Sequence, residues 1–135
     1  MDSAGADSVK LNEGQELNYT HEQTQQLVLI DLSSNGFTGY VPNELSSLKG
    51  LRSLNLSRNQ ISGAIPDDIG ASRALESLDL SFNYFSGHIP TTLSDLTFLS
   101  SLNMSYNDLS GRIPSGRQLE TLNKYVHVYR QPWTL

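Results

Sequence analysis

Residues 51–66 read LRSLNLSRNQISGAIP, and residues 75–90 read LESLDLSFNYFSGHIP. The two stretches start 24 residues apart, and the register continues on both sides. Residues 27–42 read LVLIDLSSNGFTGYVP and residues 99–114 read LSSLNMSYNDLSGRIP. Leucines open the units at Leu27, Leu51, Leu75 and Leu99. Asparagines recur at Asn35, Asn59, Asn83 and Asn107, and glycines at Gly39, Gly63, Gly87 and Gly111. Pro42, Pro66, Pro90 and Pro114 close the units. A fixed period of this length marks a solenoid of stacked units rather than a globule with one central core.

Each recurring position has a physical role. Leu54 and Leu56 alternate with Ser53, Asn55 and Ser57, which is the period-two pattern of a short strand with one buried face. Stacking the units makes these strands a parallel sheet, with strands expected at 29–32, 53–56, 77–80 and 101–104. The asparagine after each strand can donate to and accept from backbone groups of neighbouring turns. Asn35, Asn59, Asn83 and Asn107 are therefore expected to form a ladder of satisfied polar groups. Ile61 and Ile65 turn inward again, Gly63 permits a tight path, and Pro66 lacks the N–H needed to continue a strand. The intervening NELSSLKG, DDIGASRA and TTLSDLTF carry Leu45 with Leu48, Ile69, and Leu93 with Leu96 at helical spacing. These read as one or two helical turns on the outer side. Ser72 stands where the second apolar residue of its unit belongs, a local weak point.

The pattern resembles the leucine-rich repeat, in the plant extracellular type with an LxGxIP segment. The resemblance implies a horseshoe segment with a parallel sheet on its concave face and helical turns outside. KLNEGQELNYTHEQTQQLVLIDLSSN is similar to the stretch that opens the last repeat block of plant receptor-like proteins. IPSGRQLETLNKYVHVY is similar to the tail after their final repeat. The chain is thus expected to be a truncated piece of such a receptor. Its organisation reads as a disordered 1–9, a linker or edge strand at 10–26, four repeats at 27–122 and a degenerate tail at 123–135. Asn123, Val126 and Val128 offer a poor fifth strand.

Three columns stand outward from the sheet: Asp31, Asn55, Asp79, Asn103; Val28, Arg52, Glu76, Ser100; and Ser34, Arg58, Phe82, Tyr106. Arginine and aromatic side chains are the usual interface anchors. Arg58, Phe82 and Tyr106, with Asp79 and Asn103 beside them, are therefore the expected partner-binding residues. The competing reading is that the rings only stack across neighbouring strands. The family resemblance implies a protein partner, a co-receptor kinase ectodomain, and a plasma-membrane or extracellular setting in perception or defence. An inhibitor of a secreted wall-degrading enzyme, of the polygalacturonase-inhibiting type, and a fragment without retained function are the alternatives.

The chain has 135 residues, with 14 acidic and 9 basic side chains and a net charge of −5. That balance argues against nucleic-acid binding, which needs a basic face. No apolar run reaches the ~20 residues of a membrane helix, and the polar, acidic start is not a signal peptide. The charge is uneven: residues 1–50 hold 7 acidic and 2 basic side chains, and residues 101–135 hold 2 acidic and 4 basic. Cysteine is absent, which excludes disulfides and thiolate chemistry. His21, His88 and His127 fall in unrelated settings, so no metal is expected. Asp67 and Asp68 read as helix-opening carboxylates. No catalytic motif and no cofactor site is present, and the expected function is non-enzymatic. N-glycosylation sequons occur at Asn18, Asn55 and Asn103, the last two arising from the repeat pattern itself.

Overall fold

The computed structural model describes residues 28–121. Its strands are β1 (Val28–Asp31), β2 (Thr38–Gly39), β3 (Leu51–Asn55), β4 (Gln60–Gly63), β5 (Ser77–Asp79), β6 (Tyr84–His88), β7 (Ser101–Asn103) and β8 (Asp108–Ser110). They form two sheets, ordered β1-β3-β5-β7 and β2-β4-β6-β8. Every pairing is parallel. The first sheet meets the sequence expectation to within two residues at each strand end. The second sheet was not expected; the short segments after each ladder asparagine pair with one another as well as turning inward.

Helical turns at Asn43–Ser47, Asp67–Ala71 and Thr91–Asp95 close the outer side, and all three are 3-10 helices. Each follows a proline whose carbonyl accepts the first turn bond, as in Ile69 N–H to Pro66 O and Leu93 N–H to Pro90 O. The tighter i to i+3 bond is enough to close such short segments. The second and third of these turns pack closely. A Cβ at Gly70 would lie 2.5 Å from Thr92 O, so only glycine permits the approach.

Between the sheets and the turns lies one apolar core. Leu54, Leu78 and Leu102 enter it from the first sheet, Ile61, Phe85 and Leu109 from the second, and Leu93 and Leu96 from the outer side. Cross-strand register explains the alignment: Leu54 sits between Ile30 and Leu78, and Leu78 pairs with Leu102.

Two details depart from the sequence reading. Leu29 pairs with Ser53, yet Val28 pairs with Leu51 because the register slips between Val28 and Leu29. Val28 thereby takes the inward place of an opening leucine and is 6% exposed, so it does not belong to the outward column. At the other end an α-helix, α1 (Arg117–Thr121), breaks the 24-residue rhythm. Its Leu119 is buried, and Gln118 Nε2 donates to Leu99 O, so α1 covers the last repeat. The expectations for residues 1–9, 10–26 and 123–135 lie outside the described residues.

Ser72 is buried, and its hydroxyl has no hydrogen-bond partner among the described residues. The weak point read from the sequence is therefore an orphaned polar group where Leu48 and Leu96 stand in the adjoining repeats.

Candidate functional site

The site is built on turns, and the asparagine ladder fixes those turns. Asn83 Nδ2 donates to Leu56 O, Leu80 O and Ser81 O, while its Oδ1 accepts the Ile61 N–H. Asn107 repeats the arrangement one unit later, with its Oδ1 accepting from Phe85 N–H. Asn59 does so one unit earlier and accepts from both Asn35 N–H and Phe37 N–H. Asn59, Asn83 and Asn107 are buried, whereas Asn35 is exposed and bonds through its amide to Leu32 O and Ser33 O.

A second set of side chains closes the ends of the first sheet. Asp31, Asn55, Asp79 and Asn103 each accept the N–H two residues ahead, at Ser33, Ser57, Ser81 and Ser105. The hydroxyls of Ser33, Ser81 and Ser105 donate to the same oxygens at 2.7 Å. The hydroxyl and then the N–H of Ser33 hold the Asp31 carboxyl below the usual carboxylate range. Asp79 and Asn103 face each other across β5 and β7, so both expected partner residues first serve these local turns.

Between the two sets lies the column Ser34, Arg58, Phe82, Tyr106. The sequence reading placed it on the strands. The structure places it in the turn beyond them, where the four residues have φ of 58°, 59°, 56° and 61°. Left-handed backbone is costly for bulky side chains, of order 1–3 kcal/mol for each such residue, and persists only where the surroundings over-determine it. Here they do. Ser34, Arg58 and Phe82 donate to Ser57 O, Ser81 O and Ser105 O at 3.0 Å, so each turn hangs on the next.

The side chains at these positions stack. The Phe82 and Tyr106 rings lie 4.4 Å apart and 12° from parallel. Arg58 Cζ lies 4.1 Å above the Phe82 centroid. The assembly remains open to solvent, with Phe82 37% and Tyr106 49% exposed. The structure thus brings Arg58, Phe82 and Tyr106 together, and the two rings stack across neighbouring turns.

Other expected features take these places. Asn55 and Asn103 lie half-buried in β3 and β7, and Ser57 and Ser105 of their sequons are buried; Asn18 lies outside the described residues. Asp67 and Asp68 open a 3-10 helix as anticipated. His88 lies in β6, and His21 and His127 lie outside the described residues. Among the described residues, no three His, Asp or Glu side chains gather as metal ligands, and no helix is long and apolar enough to cross a membrane. Sequence reasoning missed the exposed Tyr40, just after β2, and Tyr84, which opens β6, with the Tyr40 ring lying over Gly63. The signal was available, since each tyrosine adjoins a position that the repeat turns inward.

The Leucine Rich Repeat family matches residues 26–48, 50–72, 74–96 and 98–116. The chain belongs to the leucine-rich repeat family. No curated protein sequence matches the chain. Solved structures do, among them plant receptor ectodomains. The ectodomain of the Arabidopsis thaliana receptor kinase GASSHO1/SCHENGEN3, in complex with CASPARIAN STRIP INTEGRITY FACTOR 2, is 41% identical with a TM-score of 0.62. That match covers 63% of this chain and 10% of the receptor chain. The Arabidopsis receptor kinase HAESA, in complex with the peptide hormone IDA and the co-receptor SERK1, is 43% identical with a TM-score of 0.62. It is covered over 14% of its length and covers 64% of this chain. The BIR2 ectodomain from Arabidopsis thaliana is 31% identical with a TM-score of 0.63, covering 80% of this chain and 64% of its own. The repeat chain therefore spans about a tenth of the first of these proteins and under two thirds of the last.

Proposed function

We propose that this repeat block is a non-catalytic protein-interaction module of a plant cell-surface receptor. It docks a protein partner through the turn column at the edge of the first sheet. The observation that carries this reading is the exposed stack of Arg58, Phe82 and Tyr106, held at left-handed backbone positions. Stored backbone strain and solvent-facing aromatic area both collect at binding surfaces. The likeness to ectodomains solved with peptides and co-receptors supports a protein as the partner, as in the HAESA complex and the BIR3–SERK2 complex from Arabidopsis thaliana. A co-receptor kinase ectodomain is the proposed occupant, an extracellular setting follows from it, and perception or defence is the proposed role. Asp79 and Asn103 sit beside the column as the polar rim.

The test is a double substitution, Phe82→Ala with Tyr106→Ala, in the full chain, measured against a panel of SERK-type co-receptor ectodomains. Binding at least about tenfold weaker is expected, since losing two stacked anchors removes more than 1.4 kcal/mol. Binding that survives the double change intact assigns the stack a purely structural role.

A further inference from the structure

The stack stops one position early. Three of the four turn positions carry planar groups: the Tyr106 and Phe82 rings stack, and the Arg58 guanidinium carbon lies over the Phe82 ring. The fourth, Ser34, has the same left-handed φ and the same 3.0 Å bond to the next turn. Its side chain is a single hydroxymethyl group, and it is exposed. Parallel strands advance ~4.8 Å per repeat, which is one ring thickness plus a little. With serine in this position, the repeat spacing leaves room for one more ring beyond Arg58.

We propose that this space receives an aromatic side chain of the docked partner, and that a carboxylate close to it in the partner's sequence meets the Arg58 guanidinium edge. The inference deepens the reading above and rests on it. A guanidinium can stack on two faces at once, and its N–H donors lie in its plane, so ring and carboxylate do not compete. Among the described residues Arg58 has no ion-pair partner, whereas Arg52 pairs with Glu76 at 3.2 Å. The carboxylates of the adjacent column are engaged elsewhere, Asp31 with Ser33 and Asp79 with Ser81. An acidic, aromatic segment is therefore the complementary ligand.

The experiment uses the full chain and three blocked peptides, each a Gly-Ser sequence carrying a central Glu-Phe, Gln-Phe or Glu-Leu pair. The Arg58 Nε–H resonance is followed by NMR. The Glu-Phe peptide is expected to shift it, and loss of either the charge or the ring should weaken binding about tenfold, the worth of one charge-assisted contact. Ser34→Tyr supplies the missing ring from within, at a backbone position where Tyr106 shows that tyrosine is accepted. It should abolish peptide binding without lowering the melting midpoint, whereas Ser34→Ala should leave binding unchanged. Peptide binding that persists in Ser34→Tyr, or that ignores the Glu and the Phe, overturns this inference. If co-receptor binding depends on Phe82 and Tyr106 while no peptide moves the Arg58 resonance, the proposed function stands and this inference alone fails.

Discussion

The first and third repeats carry the same pattern and bury it differently. Phe37 and Phe85 hold equivalent positions 48 residues apart, yet Phe37 is 44% exposed and Phe85 is fully buried. Leu45 and Leu48 are half-buried, whereas Leu93 and Leu96 are completely enclosed. Asn35 is exposed and Asn83 is buried. A gap of roughly 20 Å³ persists where Leu45 of the first repeat meets Ile69 and Phe85. The difference lies in the neighbours. Each repeat is completed by its neighbours, and among the described residues the third repeat has one on both sides and the first on one side only. Closure also separates roles: in the third repeat Phe85 serves the core, and Phe82 is left facing solvent.

The largest effect should come from the core. Phe85→Ala should cost about 3–5 kcal/mol and Phe37→Ala less than about 1 kcal/mol, because only the first leaves a cavity. Urea denaturation of the two variants checks this, and equal losses would break the comparison.

The ladder should follow the same gradient. Asn83→Ala should cost about 1–3 kcal/mol by taking the acceptor from the buried Ile61 N–H and one of the two donors from Leu56 O. Asn35→Ala should cost markedly less, because water reaches the groups it leaves. A shared melting midpoint for the two variants would show that burial does not set the ladder's worth.

Ser72→Ala sharpens the picture in the other direction. It removes the buried hydroxyl that has no partner among the described residues, so stability should rise by about 1 kcal/mol. A lower melting midpoint would mean that the hydroxyl is satisfied.

The smallest effect belongs to Asp31 in β1. Its carboxyl titrates below the usual range because Ser33 donates to the ionised form. A depressed folded pKa adds stability above the ordinary carboxylate value and loses it as the pH falls below that value and through the lowered one. Asp31→Asn should therefore slightly flatten the acid limb of the stability profile, and a steeper limb would contradict the assignment.

Much of this was legible in the sequence, because the 24-residue period repeats its physical tasks in register. The strands, the ladder and the placing of Ser72 followed from alternation and from which residues can satisfy buried backbone. The left-handed turns were not legible, since Arg58, Phe82 and Tyr106 carry none of the glycine signal that usually announces positive φ. The neighbouring hydrogen bonds impose that conformation, and no single repeat contains them. Val28 escaped for a similar reason: a one-residue slip against Leu51 reverses its face. Helix α1 escaped because it interrupts the rhythm that made the rest readable.

Fluorine NMR of the full chain labelled with 4-fluorophenylalanine tests the docking claim most directly, because the four phenylalanines report from four settings. Phe85 is buried, Phe37 and Phe98 are exposed away from the stack, and Phe82 lies within it. On addition of a SERK-type co-receptor ectodomain, the account predicts that the Phe82 resonance moves and the other three do not. A shift at Phe37 or Phe98 with Phe82 unmoved would contradict it.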